Sequence, residues 1–338
     1  MEIVFKSLWI VGKAKNYFET FLQGKVRPWF SLELVSIDGQ VRFFIWTQPK
    51  YRQLIESQIY AQYPGVEIYD AEDYTKNVFH DPVKLPFWGT TFKLTKDDVY
   101  PIMTYIDYGL DKDPKEEFKI DPMTSILEFL GSMKKGEQIW IQILIQGHRK
   151  ETLKDDAKLS GAAYWEIAGK DVVKKMIDEL RAPGESGYPR IPTKGEAETI
   201  ASLERSLDKL PFECGIRGFY IAQKEVFDPI GITGLIGSFR QYNSQSLNGF
   251  KLGKFTDFDN PWQDFKRIRR SNRERRLLNA YKLRSFFNLP YRHLFVPPFI
   301  LNTEELATIF HFPGQVASTP TLTKTASKKS EAPSNLPI

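Results

Sequence analysis

Apolar Phe30, Leu32 and Leu34 alternate with polar residues at the start of the stretch 30–36, and this period of two predicts a half-buried β-strand. Asp38-Gly39 follows and favours a tight hairpin turn, because both residues tolerate positive φ. The sequence then predicts a returning strand over Val41–Thr47, a helix from Pro49 to Tyr63 and a third strand over Val66–Tyr69. A hairpin, a helix and a strand in this order form half of a ferredoxin-like sandwich.

The same patterns predict elements along the rest of the chain. Isoleucine recurs at every second position from Ile139 to Ile145, which is the clearest strand pattern in the sequence. Thr95–Asp98 has the composition of a capped helix start with an acidic first turn. Asp121 precedes a proline at the first position of a predicted helix, and Asn302–Glu305 has the arrangement of a capping box. Further strands are predicted over Phe87–Leu94, Gln138–Gln146 and Phe212–Ala222, and further helices over 121–131, 172–180, 195–210, 232–242, 261–287 and 302–312.

These elements together predict an α+β fold. We expect two ferredoxin-like α/β sandwich subdomains with antiparallel sheets, a long basic helix and a disordered C-terminal tail. The predicted boundaries are 1–28 for an amphipathic N-terminal helix, 29–150 for the first sandwich, 151–192 for a helical insert and linker, 193–260 for the second subdomain, 261–314 for the long basic helix and a terminal helix, and 315–338 for the disordered linker.

The composition of the 338-residue chain is that of an ordinary soluble globular protein, with 41% hydrophobic and 26% charged residues. Its 47 lysines and arginines exceed its 42 acidic residues, and the net charge of +5 is too small to indicate nucleic-acid binding by itself. Cys214 is the only cysteine, which excludes an internal disulfide and a cysteine zinc site. It also fits a reducing, cytosolic compartment.

Residues 1–24 carry apolar side chains near helical spacing, with lysines between them. Their longest apolar run, Leu8–Val11, is far shorter than the roughly 20 residues that cross a bilayer. Two arrangements fit this pattern. The segment is either an amphipathic helix that packs on the sandwich or a helix that lies on a membrane surface.

The sequence offers little that resembles a catalytic site. Gly249–Phe255 comes nearest to a phosphate-binding loop, but it is one residue short and has a phenylalanine where a hydroxyl is needed. Cys214 lies in a strand pattern typical of a buried small residue. His148, at the end of a predicted strand, is the one histidine worth testing as a site, although a solvated strand-end residue is the simpler interpretation. An enzyme would need at least a deep pocket that joins His148 with carboxylates. We therefore expect no enzyme, no cofactor and no metal site.

A cluster of cations is the strongest chemical signal in the chain. Between residues 266 and 276, seven of eleven residues are basic. Helical spacing places Arg269, Arg273 and Arg276 on one face, where they would suit a phosphate backbone. The alternative is a solvated face that pairs with Glu274 and with acids elsewhere. The candidate nucleic-acid or partner contacts are Lys266, Arg267, Arg269, Arg270, Arg273, Arg275 and Arg276.

Seven segments carry a resemblance to a known family: Ser31–Gly39, Phe43–Thr47, Glu56–Pro64, Asp121–Thr124, Lys135–Gln142, Glu304–Gly314 and Pro333–Pro337. They resemble the region that precedes the motor in bacterial type IV secretion and conjugative DNA-transfer ATPases. The resemblance covers nearly the whole chain and is most specific at its two ends.

The resemblance, together with the lack of the family's motor in this sequence, implies a function without catalysis. In the resembled family, a Phe-His-Phe-Pro-type helix and a polar linker lead into a P-loop motor, and membrane-spanning helices often precede the region; this sequence contains neither. We therefore expect an assembly or anchoring module, either a split or truncated gene product or a stand-alone adaptor, on the cytoplasmic side of the inner membrane. The implied partners are a P-loop ATPase motor or other secretion-system subunits, with DNA, the membrane surface through residues 1–24 and further copies of the chain as other possibilities. The alternative hypothesis is a stand-alone nucleic-acid-binding module that uses the arginine-rich helix.

Overall fold

A computed structural model of the protein describes residues 1–12, 26–63, 65–110, 121–148, 162–182, 190–258 and 260–313. The predicted disordered tail at 315–338 lies outside these residues. The strands are β1 (Trp29–Ile37), β2 (Gln40–Trp46), β3 (Phe87–Leu94), β4 (Glu137–Gly147), β5 (Pro211–Ala222), β6 (Phe250–Phe255) and β7 (Phe299–Asn302). The helices are α1 (Glu2–Leu8), α2 (Arg52–Gln62), α3 (Pro122–Gly131), α4 (Ala162–Arg181), α5 (Lys194–Leu207), α6 (Pro229–Gly237), α7 (Ile268–Lys282) and α8 (Thr303–Ile309).

The predicted α+β class with antiparallel strands is confirmed. All seven strands belong to one sheet in the order β2-β1-β4-β5-β3-β6, and β7 pairs with the first residues of β5. Each pairing is antiparallel. The strands of the two expected sandwich subdomains therefore share a single sheet, joined in the middle where β4 pairs with β5 along its length from Glu137 to Gly147.

The hairpin and several helix starts form as the sequence predicts. Asp38 and Gly39 have φ values of 55° and 80°, the left-handed region that a two-residue hairpin turn requires. The Asp121 carboxylate caps α3 by accepting a hydrogen bond from Met123 N, at 2.8 Å. Asn302 and Glu305 form the predicted capping box of α8. Local signals of this kind fix where elements begin.

Helices cover both faces of the sheet. On one face, α1, α2, α3, α6 and α8 supply the main core, which includes Phe30, Leu32 and Leu34 of β1. On the other face, α7 packs Leu277, Leu278 and Tyr281 against the sheet. Strand β1 is therefore buried on both sides, and the prediction that it would be half-buried is wrong.

The polar side of β1 lies beneath α7 and holds a cluster of charged groups. Glu33 is fully buried, and Arg284 donates to its carboxylate from Nε at 3.0 Å. Arg284 also pairs with Asp73 at 2.6 Å. Arg217 is fully buried as well and donates from Nη2 to the Ser285 carbonyl at 2.6 Å. The remaining donors to Glu33 are Ser31 Oγ at 2.7 Å, Tyr74 Oη at 2.8 Å and Gln142 Nε2 at 3.0 Å.

Other local expectations are wrong for identifiable reasons. Residues 66–69 form no strand; Val66 and Ile68 pack on the core without pairing to the sheet. No helix follows Thr95, and residues 95–100 form bends and turns. Thr95 Oγ1 and Lys96 N donate to the Asn248 side chain, and the Asp98 carboxylate accepts a hydrogen bond from Ile300 N of β7 at 3.2 Å. The N-terminal helix ends at Leu8, although residues 13–25 lie outside the described part of the chain.

Candidate functional site

The basic segment, which we define as residues 266–276, is not the continuous helix that the sequence predicts from 261 to 287. Helix α7 begins only at Ile268 and ends at Lys282. Lys266 and Arg267 adopt φ values of 56° and 57°, so the backbone is left-handed just before the helix. The Asp264 carboxylate then closes the helix start by accepting hydrogen bonds from the backbone N of Arg269 and Arg270, at 2.7 and 2.8 Å. A three-residue 3₁₀ turn on each side of Asp264 replaces the first turns of the expected helix.

Two of the seven predicted contact residues are used inside the protein. Arg270 pairs with Asp257 and donates from Nε to Glu274 at 2.7 Å. Glu274 is itself buried and lies 2.9 Å from His80 Nε2. Arg273 lies 3.7 Å above the Phe258 ring and donates to the Asp257 carbonyl at 3.2 Å. Burial and the neighbouring Arg269 lower the pKa of Arg273. These two arginines hold the segment before α7 on the helix.

The other five cations, Lys266, Arg267, Arg269, Arg275 and Arg276, are exposed and form no ion pair with any residue that the structure describes. Arg269 does donate to the Gln263 carbonyl at 2.9 Å. The predicted stripe of Arg269, Arg273 and Arg276 is therefore interrupted, because its middle member is tied to Phe258. What remains is a broad positive surface around the first turns of α7.

Three large apolar side chains stand beside these cations. The exposed fractions are 79% for Trp262, 77% for Phe265 and 57% for Ile268. We call these three residues the apolar tip. Sequence reasoning missed them because it assigned 261–287 to one helix. The pattern Trp-x-x-Phe-x-x-Ile among cations was the available signal.

A groove of about 410 Å³ lies next to the basic segment, between strand β6 and the segment before α7. Lys93, Lys254 and Arg273 contribute positive charge to its walls, and Phe258 and Phe295 line it as well. Both rings are already covered by a cation, since Lys254 Nζ lies 5.4 Å from the centre of the Phe295 ring and Arg273 covers Phe258. The groove could accept an anion but leaves little free aromatic surface for stacking.

A second candidate surface lies where the described chain ends. Phe312 packs edge-on against Phe43 and Tyr63, with ring centres 5.5 and 5.3 Å apart. His311 Nε2 lies 2.7 Å from the Asp121 carboxylate, and its Nδ1 lies 2.8 Å from the Ala307 carbonyl. Burial alone would raise the pKa of Asp121, but the hydrogen bond and the charge of His311 lower it overall. We call Phe43, Tyr63, Asp121, His311 and Phe312 the C-terminal anchor. All five are partly exposed.

A comparison with protein families gives one match. The model of a domain of unknown function (DUF8128) matches residues 15–325. The chain belongs to this family. The match contains the whole basic segment and the whole C-terminal anchor. No curated protein and no solved structure matches the chain.

The remaining candidates from the sequence of this DUF8128 member, His148 and Cys214, are both buried in the fold. His148 is buried, and its Nδ1 lies 3.1 Å from the Glu213 carboxylate, which also pairs with Arg27 at 2.9 Å. Burial would raise the pKa of Glu213, but His148 and Arg27 lower it overall. Cys214 is buried, as expected, and burial raises the pKa of its thiol.

Three features of the described residues bear on a phosphate loop, a metal site and a membrane span. The glycine-containing stretch near 249–255 is largely strand β6, so its backbone is extended rather than wrapped as a phosphate loop. Among the described residues, no group of three or more His, Cys, Asp or Glu side chains is arranged to hold a metal ion. None of the helices in the same part of the chain is long and apolar enough to cross a membrane.

Proposed function

We propose that this chain is a non-catalytic assembly and anchoring module of a type IV secretion or conjugative DNA-transfer ATPase system. The observation that carries the proposal is the composition of the C-terminal anchor. Its residues come from four separate segments that resemble the pre-motor region of those ATPases: 43–47, 56–64, 121–124 and 304–314. The first two segments are near each other in the sequence, and residues from the distant segments 121–124 and 304–314 meet them at one place.

The geometry of the anchor suits a mechanical role. Every residue of α8 is buried. After this helix, Phe312 packs against Phe43 of β2 and against Tyr63, which follows α2, and His311 contacts the carboxylate that caps α3. In the resembled family this segment leads toward the motor. A motor attached or bound here would be held at a fixed position relative to the sheet, because the contacts restrict both the direction and the rotation of the segment. The module would then act through binding energy rather than chemistry.

The partly exposed rings of the anchor also offer a contact for a partner. Phe43, Tyr63 and Phe312 form an aromatic cluster that stays partly exposed. Aromatic groups in such positions carry much of the binding energy at protein interfaces. We infer that a P-loop ATPase, another secretion-system subunit or a further copy of the chain covers them at the cytoplasmic face of the inner membrane.

The test is affinity purification of the tagged chain from its native cells in mild detergent, with quantitative mass spectrometry. We expect at least tenfold enrichment of a P-loop ATPase of the secretion type over a tag-only control. A Phe312→Ala variant should lose this enrichment, while Ile191→Ala, which truncates an exposed apolar side chain elsewhere, should keep it. Recovery of the wild-type chain without any P-loop ATPase would overturn the proposal. Thermal unfolding of each variant establishes that the fold is retained.

Nucleic-acid binding by the basic segment is the second candidate function. Five exposed cations without acidic partners among the described residues favour it. The variant that tests it replaces Arg269, Arg275 and Arg276 with alanine, because Arg273 is held internally. If this function holds, DNA affinity should fall steeply with salt, and the variant should reduce the salt slope by about one for each phosphate that it no longer neutralises. Absence of DNA binding at low salt would remove this candidate.

A further inference from the structure

We propose that the apolar tip and the exposed cations beside it form a contact surface for an anionic lipid membrane. This inference deepens the proposed function and rests on it, since it names the surface by which an anchoring module would reach the membrane. The sequence pointed instead to residues 1–24. The described part of that segment cannot serve, for a structural reason.

The apolar side of α1 is already used for packing. Val4, Phe5 and Leu8 are at most 1% exposed and belong to the main core. Trp9 follows the helix and donates its indole N–H to the Pro211 carbonyl at 3.0 Å. For α1 to lie on a membrane, these side chains would have to leave the core. Helix α1 therefore packs on the sandwich, which is the first of the two arrangements that fit the sequence.

The apolar tip has the opposite character. Its three side chains are exposed, yet the backbone that carries them is fixed on both sides of Asp264. The Asp264 carboxylate binds two backbone N–H groups of α7, and Gln263 accepts from the Arg269 side chain. The tip is thus held in place without being covered. Exposed tryptophan and phenylalanine on a fixed backbone suit the boundary between lipid headgroups and acyl chains.

The charge around the tip selects for an anionic surface. Lys266 and Arg267 lie within the sequence of the tip itself, and Arg269, Arg275 and Arg276 follow on α7. Residues 260–276 contain two acids, Asp264 and Glu274, against seven basic side chains. Asp264 is bound to backbone N–H groups, and Glu274 is buried against Arg270 and His80. The exposed charges of this stretch are therefore all positive.

The combination of both features favours lipid over nucleic acid. The phosphates of double-stranded DNA would engage the cations, but they would leave Trp262, Phe265 and Ile268 in water. A membrane that contains anionic lipids engages both sets at once, because the headgroups attract the cations while the apolar side chains enter the interface. An aliphatic residue in the tip also has no stacking role toward a base.

The test is co-sedimentation of the full chain with vesicles of phosphatidylcholine alone and of phosphatidylcholine with phosphatidylglycerol in equal parts. We expect binding only to the anionic vesicles. Trp262→Ser combined with Phe265→Ser should weaken it at least tenfold, and Arg275→Gln with Arg276→Gln should weaken it about fivefold per charge removed. Ile191→Ser is the matched apolar control and should bind like the unmodified chain. All four replaced residues are exposed, so retained folding is expected and is checked by circular dichroism.

A second arm measures the affinity of the same variants for a 30-nucleotide DNA. If the charge variant reduces DNA binding and the tip variant changes neither DNA nor vesicle binding, the surface is a nucleic-acid site and the lipid proposal is wrong. Absence of sedimentation with anionic vesicles at low salt would also overturn it. Failure here is distinct from failure of the proposed function, since the tip variant should still capture the P-loop ATPase through the C-terminal anchor.

Discussion

The protein uses its arginines in two contrasting ways. Arg217 and Arg284 lie beneath α7 in the interior, where Glu33 and Asp73 compensate Arg284. Arg275 and Arg276 lie on the outside of the same helix and pair with none of the described residues. The interior arginines are separated in sequence from their partners, whereas the exterior ones stand next to each other. The pair inside therefore bears on the fold, and the pair outside bears on what the protein binds.

The burial of the interior arginines has a measurable consequence for their chemistry. Burial lowers the pKa of Arg217 to about 9, because its charge has no carboxylate in direct contact. Burial also acts against the charge of Arg284, but the hydrogen bonds and charges of Asp73 and Glu33 raise the pKa of Arg284 overall. Contacts with carboxylates, and not burial alone, therefore set the direction in which the pKa of a buried arginine shifts.

Removing Glu33 is the most direct way to break the interior arrangement. Glu33→Ala leaves two buried guanidinium groups with only Asp73 as a nearby acid, and Tyr74, Ser31 and Gln142 lose an acceptor. We expect the free energy of unfolding to fall by about 3 to 5 kcal/mol, as for other broken buried ion pairs. Urea denaturation at pH 7, followed by circular dichroism, measures the change.

Two companion variants show whether charge is the cause. Glu33→Gln keeps an acceptor oxygen and the side-chain volume, so it should lose about half as much stability. Glu225→Ala removes an exposed carboxylate and should change the free energy of unfolding by less than about 0.5 kcal/mol. If Glu33→Ala behaved like Glu225→Ala, the cluster would not stabilise the fold.

Arg270 stands between the two classes, and its removal should have the next largest effect. Arg270→Ala leaves the buried Glu274 with His80 as its remaining partner and frees Asp257 from its pair. We expect a loss of about 2 kcal/mol, because the buried Glu274 carboxylate would lose its hydrogen bond from Arg270. Thermal unfolding checks this, with Arg270→Lys as the control that retains the charge and should recover part of the loss. An unchanged melting temperature in Arg270→Ala would mean that Arg270, like Arg275 and Arg276, does not stabilise the fold.

The sequence predicts local features well and misses long-range ones. The hairpin turn at Asp38-Gly39, the Asp121 cap and the Asn302 capping box depend on neighbouring residues, and all three form. Glu33 and Arg284 are 251 positions apart, so no local pattern could pair them. The alternation in β1 predicts one buried face correctly, but only α7, far along the chain, decides that the other face is buried too.

The candidate site shows the same division. Clustering of basic residues locates the segment, but helical spacing cannot show which cations are free. Arg270 pairs with Asp257 and Arg273 packs on Phe258, so these two cations are bound within the protein. The left-handed backbone at Lys266 interrupts the helix that the sequence predicts. The anchor is a different case. Its segments could be named from the resemblance, whereas their contact in space required the fold.

The interior pair should also give the protein a dependence on acid pH. Burial alone would raise the pKa of Asp73, but hydrogen bonds from Arg284 and Thr75 lower it to about 2 from its ordinary 3.8. The stabilisation from this charge is thus present above pH 4 and is lost as the pH falls toward 2. Because the Asp73 side chain is partly exposed, we expect Asp73→Asn to lower the free energy of unfolding by only about 1 kcal/mol at pH 7. Urea titrations at pH 7, 5, 4 and 3 should show the gap between variant and wild type narrowing; a gap that stayed constant would exclude the Arg284 pair as its source.

The exterior pair should have the smallest effect on stability of all. Arg275→Ala combined with Arg276→Ala removes two exposed cations that pair with none of the described residues, so the free energy of unfolding should change by less than about 0.5 kcal/mol. If these charges repel Arg269 and Arg273, the change will be a slight gain, because like charges within one helical turn are destabilising. Urea denaturation at 20 and 200 mM salt separates the two cases, since repulsion weakens as salt screens it. A loss of 2 kcal/mol or more would mean that the outer face of α7 is structural after all, and the binding roles assigned to it would lose their basis.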